Sequence, residues 1–212
     1  MSSRRGDFVE VRDGAQLREI LGPATARAAT KARPCLHAMD RRWIACTRFC
    51  LVATADAEGR CDLSPKGDPA GFVQVIDDRT LVIPERPGNR RADSFHNVLS
   101  NPQVGLLFII PGRRDTLRIN GRARVIRDAD CFDAMRIEGH RPKLALWVEI
   151  EELFYHCAKA FMRAELWEPE RWRPEAMPSR PEVVMAIEET EKTREELEHY
   201  YGPAYAEKLY RE

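Results

Sequence analysis

No apolar run in this chain reaches the roughly 18 residues that a membrane-spanning helix needs, which leaves no candidate for a helical anchor. Net charge is missing as well: 34 lysines and arginines balance 34 aspartates and glutamates, so no global basic field argues for nucleic acid as a partner. Cys35, Cys46, Cys50, Cys61, Cys131 and Cys157 form no CxxC pair, and His37, His96, His140, His156 and His199 are scattered. Neither set has the spacing of a metal site, and the expectation is no metal. Gly-x-Ser-x-Gly, Walker and Gly-x-Gly-x-x-Gly patterns are absent, which removes the usual marks of a hydrolase elbow, a P-loop and a dinucleotide fold. No internal repeat or low-complexity tract interrupts the chain. The start, Met1–Asp7, is polar without a secretory core. With the cysteines mostly inside apolar segments, this reads as a cytoplasmic protein whose thiols are small buried residues in a reducing compartment.

What is present suits one domain with extensions: 212 residues, 43% hydrophobic and 32% charged. Residues 1–42 read as a helical arm. Asp13 can cap a helix through Ala15–Leu21 that Gly22-Pro23 stops, and a second short helix fits Ala24–Ala32. Residues 43–172 read as strands joined by short turns. Phe49–Thr54 turns at Glu58-Gly59 into Arg60–Ser64, where Ser64-Pro65 is expected to break the strand. Phe72–Ile76 and Thr80–Pro84 make a second hairpin. Arg90–Ser100 has helical spacing with Asn89 as its cap. Val104–Ile110, apolar throughout, is expected to be a strand buried on both faces. Thr116–Ile126 alternates, with Leu117, Ile119, Ala123 and Val125 opposite Arg118, Asn120, Arg122 and Arg124, as a half-buried strand does. A short helix from Asp128, a strand over Leu144–Phe154 and a helical His156–Arg163 complete the region. The fold class is mainly β with flanking helices: six to seven antiparallel strands in a small barrel, which manages exposed edges, with a sandwich as the alternative. Residues 173–212 change character, from a Pro- and Trp-bearing linker to an acidic helix over Glu182–Leu197 and a last short helix over Ala204–Tyr210.

The chemistry gathers in two Gly/Pro-bearing loops, each following a strand and each carrying cations. In Gly88-Asn89-Arg90-Arg91, the arginines sit at the expected start of a helix, where the dipole and free amides favour an anion and guanidinium groups can grip a phosphate. The alternative is that Arg90 and Arg91 pair with Asp93, Asp77 or Asp78. In Ser64-Pro65-Lys66-Gly67-Asp68, a hydroxyl, a cation and backbone amides suit the polar edge of a heteroaromatic ring; the alternative is a plain turn with a Lys–Asp surface pair. A hairpin joins the loops, so they can lie close together.

Taken together, Ser64-Pro65-Lys66-Gly67-Asp68-Pro69, Gly71-Phe72-Val73, Pro84-Glu85-Arg86-Pro87-Gly88-Asn89-Arg90-Arg91-Ala92-Asp93-Ser94, Asn101-Pro102, Gly105-Leu106-Leu107-Phe108, Ile110-Pro111-Gly112, Asp115–Ala123 and His156-Cys157-Ala158-Lys159-Ala160 resemble the pyridoxamine 5′-phosphate oxidase-like FMN-binding split-barrel family. The closer likeness is to its bacterial branch with a Ser-Pro-Lys/Arg-Gly-Asp loop, and it runs from about Thr25 to Trp172. The resemblance implies a split β-barrel and an FMN held at a homodimer interface, with a small-molecule substrate and NAD(P)H as possible partners and neither nucleic acid nor membrane. Carried over by position, Asn89, Arg90 and Arg91 match the phosphate grip, and Ser64, Pro65 and Lys66 match the strand end along the flavin ring. Thr116 and Arg118 match the strand near the flavin, while Lys159, Arg163 and Trp167 lie where the C-terminal segment of such proteins reaches the site. It implies an oxidoreductase moving hydride or electrons from a reduced donor to a small organic acceptor, or else a non-catalytic module for flavin, deazaflavin or haem. The family's vitamin-oxidising members carry a Trp-Gly-Gly-Arg-like signature. Here Trp167-Glu168-Pro169-Glu170-Arg171-Trp172 stands in its place, so oxidation of pyridoxamine 5′-phosphate is not expected.

Overall fold

The structure is a computed structural model that describes residues 8–210; the polar Met1–Asp7 start lies outside them. The chain divides into two compact units at the Ala32–Arg33 boundary. The first holds α1 (Gly14–Leu21) and α2 (Ala26–Thr30). Asp13 caps α1, its Oδ1 accepting from the amides of Ala15 and Gln16 at 2.9 Å, and Gly22 ends it at φ 74°. Thr25 caps α2. Neither helix buries a side chain.

The second unit is built on α3 (Ala38–Cys46) and seven strands: β1 (Phe49–Ala55), β2 (Cys61–Gly67), β3 (Gln74–Val75), β4 (Thr80–Pro84), β5 (Gln103–Ile109), β6 (Thr116–Ile126) and β7 (Ala145–His156). All pairings are antiparallel, in the order β2-β1-β5-β6-β7-β4-β3. The ladder does not close, so β2 and β3 are its edges, the arrangement a split barrel has. Four further helices follow: α4 (Asp93–Ser100), α5 (Lys159–Arg163), α6 (Arg180–Ile187) and α7 (Arg194–Tyr200).

One face of the sheet carries the core. Cys50 and Val52 of β1, Leu106 and Phe108 of β5, and Leu117 and Ile119 of β6 are buried there, and α4 adds Phe95 and Val98. The β6–β7 pair bulges at Asn120/Gly121. A Cβ at Gly121 would stand 2.1 Å from the Glu149 carbonyl oxygen, so only glycine lets the two strands approach this closely. A second, smaller cluster packs Phe132 and Met135, from a 3-10 turn over Asp130–Met135, against Val82 and Ala145.

Several expectations are corrected. β2 does not stop at Ser64: it continues through Pro65, which pairs with Leu51, to Gly67. An edge strand tolerates this because a proline nitrogen can face away from the ladder. The strand buried on both faces is β4, covered by both clusters, whereas β5 alternates. Helix α4 starts at Asp93, three residues later than expected. Its cap position is Ala92 in the left-handed region (φ 55°), and the Asn89 side chain accepts from the Arg91 amide instead. His37, exposed at the surface, caps α3 through Nδ1, and Asp40 reciprocates at the His37 amide, a role that no expectation covered. The single acidic helix expected over Glu182–Leu197 is two helices, α6 and α7, each opened by a capping box, at Ser179/Glu182 and Thr193/Glu196. Of the six thiols, Cys50 alone is fully buried; Cys46, Cys61 and Cys157 are exposed.

Candidate functional site

Strand alternation decides where the first loop points. Ser64 and Lys66 pair with Val52 and Cys50, whose side chains are buried, so they share the face that α4 covers. Leu63 and Pro65 point to the opposite face. Ser64 Oγ and Ser94 Oγ both donate to Asp62 Oδ2, at 3.4 and 2.8 Å. That carboxylate ties β2 to the first turn of α4. Lys66 bonds Glu85 and lies 5.4 Å from the Phe95 ring centroid, with 16% of its side chain exposed. Burial pushes the neighbouring Cys50 thiol up to about 12, against the smaller opposing pull of the Lys66 charge, so Cys50 is an inert core thiol.

A second ion pair runs beside the first. Arg86 Nε donates to Asp68 Oδ2 at 2.5 Å, and its Nη2 donates to the Met135 carbonyl at 2.8 Å. Asp68 is 1% exposed and Arg86 15%. The pairs Lys66–Glu85 and Asp68–Arg86 therefore sew the end of β2 and the residue after it to the loop after β4. Glu85 and Arg86 stood in the family-like motif but were given no role; charge order was a further signal, since an acid and a base after β4 answer Lys66 and Asp68 at the end of β2.

The turn carrying Asn89, Arg90 and Arg91 is exposed. Arg90 adopts φ 61° and Ala92 φ 55°, a pair of left-handed residues that reverses the chain into α4 and costs backbone energy at each non-glycine position. Arg91 pairs with Asp93 at 2.8 Å and remains 74% exposed. The hydrogen bond and charge of Asp93, with Asp62 farther away, raise its pKa. No ion pair involves Arg90 among the described residues. Ala92 offers no side-chain cap to α4, so the positive end of this helix faces the arginine turn without a protein carboxylate at its cap position.

The other sequence-derived residues lie elsewhere on the sheet. Pro65, Leu51, Leu107, Arg118 and Phe154 form one cross-strand row. Three strand spacings of about 4.8 Å put Pro65 and Arg118 roughly 14 Å apart. Arg118 Nε donates to Asn120 Oδ1 at 3.2 Å, and its guanidinium lies 5.2 Å from the Phe154 ring centroid. Thr116, opposite His156, is buried. Trp167 donates from Nε1 to the Arg113 carbonyl at 2.6 Å and stacks on Phe161, while Lys159 and Arg163 are exposed on α5. Thus Ser64 and Lys66 share the β2–α4 neighbourhood with the loop of Asn89, Arg90 and Arg91. Thr116 and Arg118 stand on the far strands, and Lys159, Arg163 and Trp167 follow β7 beside the β5–β6 turn. An open groove of about 550 Å³ crosses the sheet next to Arg118, with Ala53, Gly105 and Asn120 in its lining and Glu151 and Glu152 among its acids. Its carboxylates disfavour a phosphate there. The sequence reading missed it because its lining residues come from β1, β5, β6 and β7.

A seven-stranded antiparallel sheet that does not close, flanked by helices, is the architecture of a split barrel. Residues 36–157, more than half of the chain, match the family model described as pyridoxamine 5′-phosphate oxidase, and the chain belongs to that family. No curated protein matches the sequence. Among solved structures, HupZ of Group A Streptococcus shares 19% identity, with a TM-score of 0.46, over 57% of this chain and 94% of that one. An FMN-binding protein from Syntrophomonas wolfei shares 12%, with a TM-score of 0.42, over 56% and 89%. HutZ, the haem storage protein from Vibrio cholerae, shares 16%, with a TM-score of 0.40, over 56% and 93%. Among the described residues no helix is long and apolar enough to cross a membrane, and no cluster of His, Cys, Asp and Glu could hold a metal ion.

Proposed function

We propose that this protein is an FMN-binding flavoprotein, a cytoplasmic oxidoreductase that moves hydride or electrons between a reduced donor such as NAD(P)H and a small organic acceptor. The observation that carries this reading is the exposed Asn89-Arg90-Arg91 turn at the head of α4, in a chain of this family. A phosphate dianion fits it: Arg90 has no competing ion pair among the described residues, Arg91 is open to solvent, and two left-handed residues turn the backbone at the helix head. Bound FMN would supply the redox chemistry. Arg90 and Arg91, with Asn89, would hold its phosphate. Ser64 and Lys66 would border the ring, with Pro65 contributing only its backbone at the β2 edge, and the Lys66–Glu85 pair would set the charge at its edge.

The remaining assigned residues belong to a second copy in this reading. Thr116 and Arg118 stand strands away from β2, and Lys159, Arg163 and Trp167 follow β7. A homodimer packed through the β1-β5-β6-β7 face, where Leu51, Leu107, Ile109 and Phe154 are half-exposed, would let Arg118 on the outer face of one subunit's β6 serve the other subunit's site. Oxidation of pyridoxamine 5′-phosphate is not the proposed reaction, because Trp167-Glu168-Pro169 replaces the signature of the vitamin-oxidising members.

The test is an absorbance spectrum of protein purified from cells, with release and mass measurement of any chromophore, followed by NAD(P)H oxidation assays with candidate acceptors. Flavin bands, released FMN and saturable NAD(P)H oxidation are expected. Colourless protein that takes up no added FMN overturns the flavin assignment, and tight FMN binding without turnover replaces the enzyme by a binding module.

A further inference from the structure

The C-terminal tail lies beyond the segment that matches the family model, yet its far end returns to the candidate site. The described hydrogen bonds and ion pairs of α6 and α7 stay within the tail: Arg180 pairs with Glu188, and Arg194 with Glu182 and Glu198. Tyr210 behaves differently. Its hydroxyl donates to Asp68 Oδ1 at 2.7 Å, and its ring lies 5.8 Å from the Arg86 guanidinium carbon. Asp68 thereby receives Tyr210 on one oxygen and Arg86 on the other. A carboxylate that is 1% exposed needs both oxygens satisfied, since an unmet acceptor at such depth is costly. Burial, and then the Asp68 charge and hydrogen bond, push the Tyr210 hydroxyl up to about 12, so it remains a donor across the physiological range.

We propose that Tyr210 is a positioning residue that latches the Lys66-Gly67-Asp68 loop to the Glu85-Arg86 loop, so that the tail holds the two loops of the cofactor site in register. The latch rests on the flavin reading only for its effect on cofactor binding; its effect on the loops stands alone. Without the tyrosine hydroxyl, Asp68 keeps Arg86 but loses its second donor, and the seam loosens at the end that follows β2.

Two measurements on full-length Tyr210→Phe test this. In cofactor-free protein, amide hydrogen exchange at Lys66, Gly67, Asp68, Glu85, Arg86 and Gly88 should quicken about tenfold, the loss of one hydrogen bond to a charged group, while β5 and β6 change far less. In fluorescence titrations with FMN, the dissociation constant should rise several-fold, and the melting temperature of the cofactor-free protein should fall by about 3–6 °C, the loss of one hydrogen bond to a charged group. A double-mutant cycle with Asp68→Asn should show the two substitutions to be non-additive. Unchanged exchange in both loops overturns the latch, and so does uniformly faster exchange across the barrel, which would mark a merely structural tail. If wild-type protein binds no FMN, the flavin reading fails, and the exchange experiment still decides the role of Tyr210.

Discussion

The two loops of the candidate site carry similar charges in opposite states. At the end of β2 and just after β4, Lys66 and Arg86 are engaged by Glu85 and Asp68 in a half-sheltered seam. A few residues on, Arg90 and Arg91 stand in solvent on a strained turn, Arg90 in no ion pair among the described residues and Arg91 held only by the neighbouring Asp93. Buried, paired cations fix geometry, because removing either partner strands a charge in a poorly solvated place. Exposed cations contribute little to folding and remain available to a ligand. Cation-rich loops are thus sorted into scaffold and grip by the depth and partners of each side chain.

The comparison breaks first at the grip. Replacing both Arg90 and Arg91 with alanine should abolish FMN retention on purification while leaving the unfolding midpoint close to wild type; stoichiometric flavin in the double variant would remove these arginines from the phosphate site. Next comes the seam. Arg86→Ala strands Asp68 and should destabilise the protein by about 3–5 kcal/mol, read as a drop in the urea midpoint. A loss near that of a surface substitution would show that the pair is not a scaffold element. The smallest effect is expected at Lys66. Lys66→Met leaves Glu85 without its cation, so the local charge near the flavin becomes more negative and the reduction potential should fall. Dye-coupled reductive titration measures it, and an unchanged potential separates Lys66 from the flavin altogether.

Much of this fold is legible in the sequence, for identifiable reasons. β6 begins and ends where the alternation of Thr116–Ile126 does, because a two-residue period with one buried face leaves little freedom of register. The first hairpin follows from Gly59, whose φ of 80° a turn glycine accepts without strain. The start of α4 was misread because Asn89 has the right side chain for a cap, but the backbone turns three residues later at Ala92, which has none. Burial of β4 on both faces depends on Phe132 and Met135 arriving from a distant turn, and no local pattern in Thr80–Pro84 announces them. In the site, the arginine turn was visible as composition. The pairing of Lys66 with Glu85 was not, since both also fit a solvated loop. Tyr210 was beyond reach: its partner Asp68 lies 142 positions away, and a tyrosine near a chain end has no periodicity to report a contact.

Pro65 has a consequence for how copies of this chain can meet. It sits within an edge strand, paired with Leu51, and offers no amide to a newcomer approaching from outside the sheet. A strand laid along β2 would find a gap in the donor row near the middle of its run. Growth by adding strands, the route to fibres and to continuous intermolecular sheets, is therefore discouraged at this edge.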